Sequence, residues 1–417
     1  MVWQRERRVV VTGMGMVSPV GLDVASSWDA LVHGRSGVAR VTLFDTSDLN
    51  VTIAGEVKNF DPTDYMDRKE ARRLDRFLQL GLAAFQEAVR DADLCVAPDE
   101  AEDVGVLVGS GIGGIGTLVD GTTTLLTRGP DRVSPFLVPM FLPDMLGGMI
   151  AIRTGAKGPN FSPSSACATG GHCIGEAAEI IKRGDAEVML AGAAEAPITR
   201  IGLAAFDSMR AISRRVDEPE RASRPFDLDR DGFVLAEAAG VLVLETLEHA
   251  ERRGAHVYAE IAGYGATADA YHITAPCEGG EGAARAMRLA LRKADLAPTE
   301  VGYINAHGTS TPHNDRTESQ AIATVFGDGQ NVPPVSSTKS MTGHLIGASG
   351  AVEAIVCIKA ILEGCLPPTI NLDTPDPDCP LDYVANAARP ARVDVALSNS
   401  LGFGGHNTAL VVRRFVA

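Results

Sequence analysis

The 417-residue sequence predicts a layered α/β fold built from two similar halves. Two observations lead there: strand-like runs alternate with helical patterns along the whole chain, and glycine-marked segments recur in the same order in both halves. Val104-Gly105-Val106-Leu107-Val108-Gly109, Glu187-Val188-Met189-Leu190-Ala191-Gly192 and Gly240-Val241-Leu242-Val243-Leu244-Glu245 are short and apolar on both faces. Strands sandwiched between helices need that pattern. Residues 171–183 and 282–294 carry helical spacing instead.

The duplication rests on four matches. Val11-Thr12-Gly13-Met14-Gly15 is matched by Ile261-Ala262-Gly263-Tyr264-Gly265, and Asp103-Val104-Gly105 by Glu300-Val301-Gly302 with the strand after it. Cys167-Ala168-Thr169-Gly170 opens a helical stretch closing at Gly184. Gly347-Ala348-Ser349-Gly350 opens one of equal length closing at Gly364. Glu187-Val188-Met189-Leu190 then matches Asp394-Val395-Ala396-Leu397. The halves are placed at 1–255 and 256–417.

Three segments fall outside the repeat. Residues 50–76 hold a charge-rich stretch, Asp67 to Arg76, read as a helix. Residues 110–150 are rich in glycine and methionine, and 208–235 include the loop Phe226-Asp227-Leu228-Asp229-Arg230-Asp231-Gly232. Insertions of this size in a layered fold commonly line a site or an interface.

Bulk properties exclude several classes. A net charge of −15 argues against a general nucleic-acid binder, which needs a basic face to neutralise phosphate. No run of about 18 apolar residues is present, so no membrane insertion is expected. Seven cysteines without a CxxC pair predict a reduced, cytoplasmic protein with no disulfide framework and no zinc ribbon. The basic N-terminus precedes only Val9-Val10-Val11, too short for a signal-peptide core, and reads as a first strand ending in a glycine turn.

The chemistry concentrates in three motifs. Cys167 lies in Ser164-Ser165-Ala166-Cys167-Ala168-Thr169-Gly170, after an expected strand end and before a helix. A thiol there feels the positive end of the helix dipole, which predicts a lowered pKa. Its small neighbours leave room for a bulky acyl group. Cys173 is read as a structural, buried thiol. His307 follows an apolar strand in Asn305-Ala306-His307-Gly308-Thr309-Ser310-Thr311, and the alternating hydroxyls of Thr309 and Thr311 suit the amides of an extended polar chain. His344 closes Lys339-Ser340-Met341-Thr342-Gly343-His344. Two imidazole N–H groups aimed at a thioester carbonyl would stabilise an enolate. Lys339 is expected either to pair with Glu318 or to tune the site's electrostatics. In Leu401-Gly402-Phe403-Gly404-Gly405, the phenylalanine can swing between glycines, and its N–H can complete an oxyanion hole with that of Cys167. Gly111-Ile112-Gly113-Gly114 has a similar form. Neither cluster is followed by the ribose-binding acid of a dinucleotide fingerprint.

With these residues in hand, the chain resembles the β-ketoacyl-acyl carrier protein synthases, and within them the elongating 3-oxoacyl-[acyl-carrier-protein] synthase II type. The resemblance runs from Val9-Val10-Val11-Thr12-Gly13 to Asn399-Ser400-Leu401-Gly402-Phe403-Gly404-Gly405. It implies a thiolase-type fold of five α-β-α-β-α layers, both halves forming one unit, usually in a homodimer. It implies decarboxylative Claisen condensation with Cys167, His307, His344 and Lys339 catalytic and Glu318 in support. Cys167 and Phe403 would supply the oxyanion hole, with Gly402, Gly404 and Asp269 in the gating loops. Thr309 and Thr311 would hold the pantetheine arm, and Ile112, Phe206 and Met209 would line the acyl pocket. Lys69, Arg72, Arg73 and Arg210 would dock an acidic acyl carrier protein; the plain reading of that patch is a solvated helix face. No metal and no resident cofactor are implied, because the carrier brings the phosphopantetheine.

Alternatives remain at this point. Alanines in Leu235-Ala236-Glu237-Ala238-Ala239-Gly240 and Asn314 in His313-Asn314-Asp315 depart from the commonest family pattern and leave a ketosynthase of a polyketide or other specialised pathway open. A thiolase would need a second cysteine near Ser400 and Phe403. Initiating synthases carry Cys-His-Asn, a papain-like protease has no place for a second histidine, and a non-catalytic chain-length-factor-like subunit would lack Cys167.

Overall fold

The computed structural model describes residues 7–327, 329 and 332–416; the first six residues of the basic N-terminus lie outside the described residues. Nine strands form its main sheet: β1 (Val9–Val17), β2 (Val104–Gly109), β3 (Val188–Glu195), β4 (Ala238–Thr246), β5 (Ala259–Ala268), β6 (Tyr303–Asn305), β7 (Val335–Ser336), β8 (Val395–Gly402) and β9 (His406–Arg414). Their spatial order is β2-β3-β4-β1-β5-β9-β8-β6-β7. Read outward from the β1–β5 junction, the two sides repeat each other, with β4 answering β9, β3 answering β8 and β2 answering β6. The junction is thin, since only Val10 and Val11 of β1 pair with Glu260 and Ala259 of β5.

Four helices complete the layers: α1 (Arg76–Asp91), α2 (Thr169–Arg183), α3 (Glu281–Lys293) and α4 (Ser349–Glu363). α2 and α4 pack on each other between the two halves of the sheet, while α1 covers the outer face of the first half and α3 that of the second. This is the expected five-layer thiolase-type arrangement. Small residues permit the central contact: a Cβ on Gly170 would lie 2.6 Å from the Ala351 amide, and one on Gly350 would lie 2.5 Å from that of Gly171.

The glycines near the N-terminus do a different job from the one expected. β1 does not end in a turn at Gly13 but continues through it to Val17, buried throughout. Gly13 and Gly15 are small because α1 lies on them, with Cβ positions 2.3 Å and 1.9 Å from the carbonyls of Ala88 and Ala84. Gly263 and Gly265 of β5 meet Ala290 and Ala286 of α3 in the same way, at 2.1 and 2.0 Å. The duplicated G-x-G is therefore a helix-crossing device in each half.

Two more expectations need correction. The charged stretch from Asp67 to Arg76 is not one helix. Asp67 caps a short helix, Arg68–Ala71, and Asp75 caps α1, so the chain turns between them. The segment before Cys167 is not a strand end either; Asn160 makes a single bridge to Val106 and residues 161–165 run without regular structure.

Candidate active site

Cys167 sits in a 3-10 turn, Ala166–Ala168, that leads into α2. Ala166 carries φ +50°, a left-handed conformation that costs a non-glycine residue energy and sharpens the turn. The second half repeats the device: Ile346, at φ +48°, opens a 3-10 turn into α4, with Gly347 in the cysteine's place. Duplicated backbone thus presents a nucleophile once.

The three expected catalytic side chains converge. The Cys167 sulfur and one ring nitrogen each of His307 and His344 lie within 4.8 Å of one another. His344 Nε2 is 3.1 Å from the sulfur, and its Nδ1 is 3.2 Å from Ser349 Oγ. The two imidazoles meet edge to face, 5.2 Å between centroids. His307 is held through its backbone: its N–H and that of Gly308 each donate to the Glu318 carboxylate at 2.7 Å. His307 Nδ1 is buried with no partner among the described residues, a polar atom left for a ligand. The trio is also the one described cluster with metal-ligand spacing. A zinc ion would occupy the atoms that thioester chemistry needs, so the two uses exclude each other.

Electrostatics corrects the expectation for the thiol. Burial pushes Cys167 up to about 12, against the opposing pull of the Lys339 cation and the N–H groups of Phe403 and Cys167 itself. Desolvation of a thiolate outweighs the dipole, so the resting sulfur is a thiol. Burial and Lys339 together hold both imidazoles well below the usual histidine range, and both are neutral. A neutral imidazole 3.1 Å from a thiol can take its proton as the sulfur attacks.

Lys339 does not pair with Glu318. Its ammonium bonds Glu353 Oε1 on α4, and both side chains are 1% exposed. Glu318 is instead committed to the two backbone N–H groups, with Asn399 at 3.3 Å. The expected electrostatic role of Lys339 fits better, since its charge acts on Cys167, His307 and His344 alike.

A cavity of about 520 Å³ opens onto the sulfur. Ile112, Phe206 and Met209 line it, as do Thr309, Thr311, Gly402, Phe403 and Asp269. Thr309 and Thr311 face each other with hydroxyls 3.0 Å apart. The backbone N–H groups of Phe403 and Cys167 act on the sulfur and pull its acidity against burial, which places two backbone donors beside the reacting atom. Asp269 ties the gating loops together: its N–H donates to Gly405 O at 2.9 Å, and its carboxylate accepts from Asn407 Nδ2 at 2.7 Å. Gly404 does not line the cavity. It is exposed at φ +89°, and its N–H donates to Ile273 O.

The expected basic patch is split. Lys69 and Arg73 line a separate surface hollow with Phe136 and Met149, with Arg73 4.6 Å from the Phe136 ring centre, and Arg72 is exposed beside them. Arg210 lines the mouth of the catalytic cavity instead.

Sequence reasoning missed Phe233, Ser349, Glu353 and Glu195. Phe233 stands edge-on to both His344 and Phe206, at 5.2 and 5.4 Å, and so joins the catalytic and acyl regions. Glu353 and Glu195 left a signal, an acid inside an apolar segment, which must have partners.

The comparisons agree with this geometry. Residues 6–250 match the beta-ketoacyl synthase N-terminal domain, and residues 258–373 the C-terminal domain. A "3-oxoacyl-[acyl-carrier-protein] synthase 2" from Synechocystis sp. is 51% identical over 98% of this chain and 99% of its own. A protein of the same name from Staphylococcus aureus strain COL is 51% identical over 99% and 100%. Among solved structures, a beta-ketoacyl synthase from Burkholderia phymatum is 39% identical with a TM-score of 0.90, covering 98% of this chain and 100% of that one. The ishigamide ketosynthase/chain length factor is 37% identical with a TM-score of 0.92, covering 99% and 100%. A type II polyketide ketosynthase solved with its acyl-carrier protein is 36% identical with a TM-score of 0.88, covering 99% and 100%. The chain belongs to the beta-ketoacyl synthase family and is a condensing acyltransferase.

Proposed function

We propose that this chain is the elongating, type II 3-oxoacyl-[acyl-carrier-protein] synthase of fatty acid synthesis, condensing malonyl-carrier protein with an acyl chain held on Cys167. The observation that carries the reading is the placement of the Cys167 sulfur, two neutral imidazoles and two backbone N–H donors at the end of one cavity. Acylation begins as the sulfur attacks the carrier's thioester carbonyl and its proton passes to His344 Nε2. The oxyanion is met by the N–H groups of Cys167 and Phe403, and the pantetheine sulfur leaves with a proton. Malonyl-carrier protein then binds along Thr309 and Thr311. Carbon dioxide departs, and the electron pair it leaves becomes an enolate whose oxygen accepts from the N–H of His307 and from His344 in the tautomer that carries its proton on Nε2. The carbanion attacks the acyl-Cys167 carbonyl, the new carbon–carbon bond forms, and the Cys167 sulfur leaves and regains a proton.

The acyl carrier protein is the partner this chemistry asks for, with Lys69, Arg72, Arg73 and Arg210 as docking cations. The two docking sites are separate in one chain, which suits a carrier that spans more than one surface or a pair of chains. A homodimer is supported by the helix Ile115–Arg128, which has no buried residue and exposes Leu126, and by the exposed Val138 and Ile152 of the helices that follow. Free cysteines support the reading of a cytoplasmic protein, and no described helix is long and apolar enough to cross a membrane. The polyketide reading is weaker, since those ketosynthases stand at 36–37% identity against 51% for the elongating enzymes.

The test is intact-mass spectrometry with carrier proteins bearing six- to sixteen-carbon chains. A Cys167-dependent acyl adduct should form and should vanish on malonyl-carrier protein addition, with release of a β-ketoacyl product. Absence of any adduct on folded protein would overturn the assignment.

A further inference from the structure

Glu195, the last residue of β3, is fully buried at the centre of the molecule and belongs to none of the catalytic roles above. Its carboxylate accepts four hydrogen bonds from two different halves of the fold. Oε1 takes Ser110 Oγ at 2.5 Å and the Ile112 N–H at 3.2 Å; Oε2 takes the Gly111 N–H at 2.8 Å and the Gly347 N–H at 3.0 Å. Ser110 Oγ in turn accepts the Gly113 N–H at 2.8 Å, so the whole turn 110–113 hangs on this one group. On the other side, a Cβ on Gly347 would meet the Gly111 amide at 2.5 Å and Glu195 Oε2 at 2.6 Å. The two backbones touch through the carboxylate with no room for a side chain between them.

The residues fixed in this way matter to the acyl chain. Ile112 and Ile346, the neighbour of Gly347, both line the catalytic cavity. They come from opposite halves, and their only shared anchor among these bonds is Glu195. We propose that Glu195 is a positioning residue for acyl-chain selectivity: it locks the Ile112 wall of the first half against the Ile346 wall of the second and so sets the shape of the space beyond Cys167. This rests on the reading of Ile112 as acyl-pocket wall. The argument for a carboxylate, rather than any polar group, is the count of donors. Three backbone N–H groups and the Ser110 hydroxyl engage both oxygens, two on each, and an amide would set its NH2 against two of them. Burial pushes the carboxyl up to about 7, and these four bonds pull against that shift.

The test is Glu195→Gln, which keeps the shape but turns one acceptor into an NH2 group, leaving two of the four donors without a partner. Single-turnover acylation is followed with carriers of six to sixteen carbons, in wild type, E195Q, I112A and the double variant. The expected result is that E195Q and I112A each reduce the discrimination between the best and worst chain lengths about tenfold. The double variant should show no further loss, because both act through the same wall. A general loss of stability would instead slow all chains alike and leave the profile's shape intact. An unchanged profile in E195Q beside an altered one in I112A overturns the role of Glu195 and leaves the pocket reading standing. An unchanged profile in I112A overturns the pocket reading itself. Should E195Q fail to fold, Ser110→Ala removes one bond of the same set; it should move the profile in the same direction by a smaller factor, and an unmoved profile overturns the proposal.

Discussion

Gly402→Ala separates the two halves of the reaction. Gly402 has ordinary backbone angles, so alanine there meets only a steric problem. Its Cβ would lie 2.7 Å from Ser165 O, 3.1 Å from the Ala168 nitrogen and 3.2 Å from the Cys167 nitrogen. All three are backbone atoms of the turn that carries the nucleophile, and none can rotate away. The first contact is roughly 0.7 Å short of ordinary van der Waals distance, so either the turn or the 402–405 loop must move. Both movements pull the Phe403 N–H away from the oxyanion position. Loss of one such donor costs about 100- to 1000-fold in rate, ~3–4 kcal/mol. His307 and His344 sit on other elements, so release of carbon dioxide from malonyl-carrier protein should stay within about tenfold of wild type. Rapid-quench intact-mass measurement of Cys167 acylation, beside a carbon dioxide assay, reads both steps. Acylation within about threefold of wild type, or an equal fall in both steps, would refute the oxyanion assignment.

Other predictions follow the same geometry. Lys339→Met strands Glu353, whose Oε2 already has no partner among the described residues, and should destabilise the fold by about 3–5 kcal/mol in chemical denaturation. The double variant K339M/E353Q should recover part of that stability but not acylation, because the cation acting on Cys167 is gone. With the thiol pushed up to about 12 by burial, alkylation of Cys167 by iodoacetamide should quicken steadily as pH rises from 6 to 10. An inflection near pH 7 would show a resting thiolate instead. Charge reversal at Lys69 and Arg73 should raise the KM for carrier-bound substrates about tenfold with kcat nearly unchanged. That difference should shrink at high salt, and an effect independent of salt would place these residues elsewhere than in docking.

The catalytic trio was legible because each member sits among small or glycine residues where a side chain is meant to be reached. The duplication was legible too, although its glycines answer to helix crossing, which only the packing of α1 on β1 reveals. Lys339 was assigned the wrong acid because Glu318 and Glu353 are equally plausible in one dimension. The choice depends on α4 running beside the turn at 339–342. The thiol's acidity was misjudged for a related reason: a helix start is visible in sequence, but the depth of burial that outweighs it is not. Asp75 was a readable signal passed over, since an aspartate before an apolar helical run marks a new helix start. Phe233 could not be read at all, because its importance lies in standing edge-on to two rings from other segments.

Partial reactions of Cys167→Ala and His307→Ala, with acyl-carrier protein read as adduct mass and product and with malonyl-carrier protein read as carbon dioxide release, test the central claim most directly. The division of labour described here requires C167A to lose all acyl adduct and all condensation while still releasing carbon dioxide. It requires H307A to accept an acyl group on Cys167 and yet to release carbon dioxide at least about 100-fold more slowly. Wild-type release of carbon dioxide by H307A, or its loss in C167A, would contradict it.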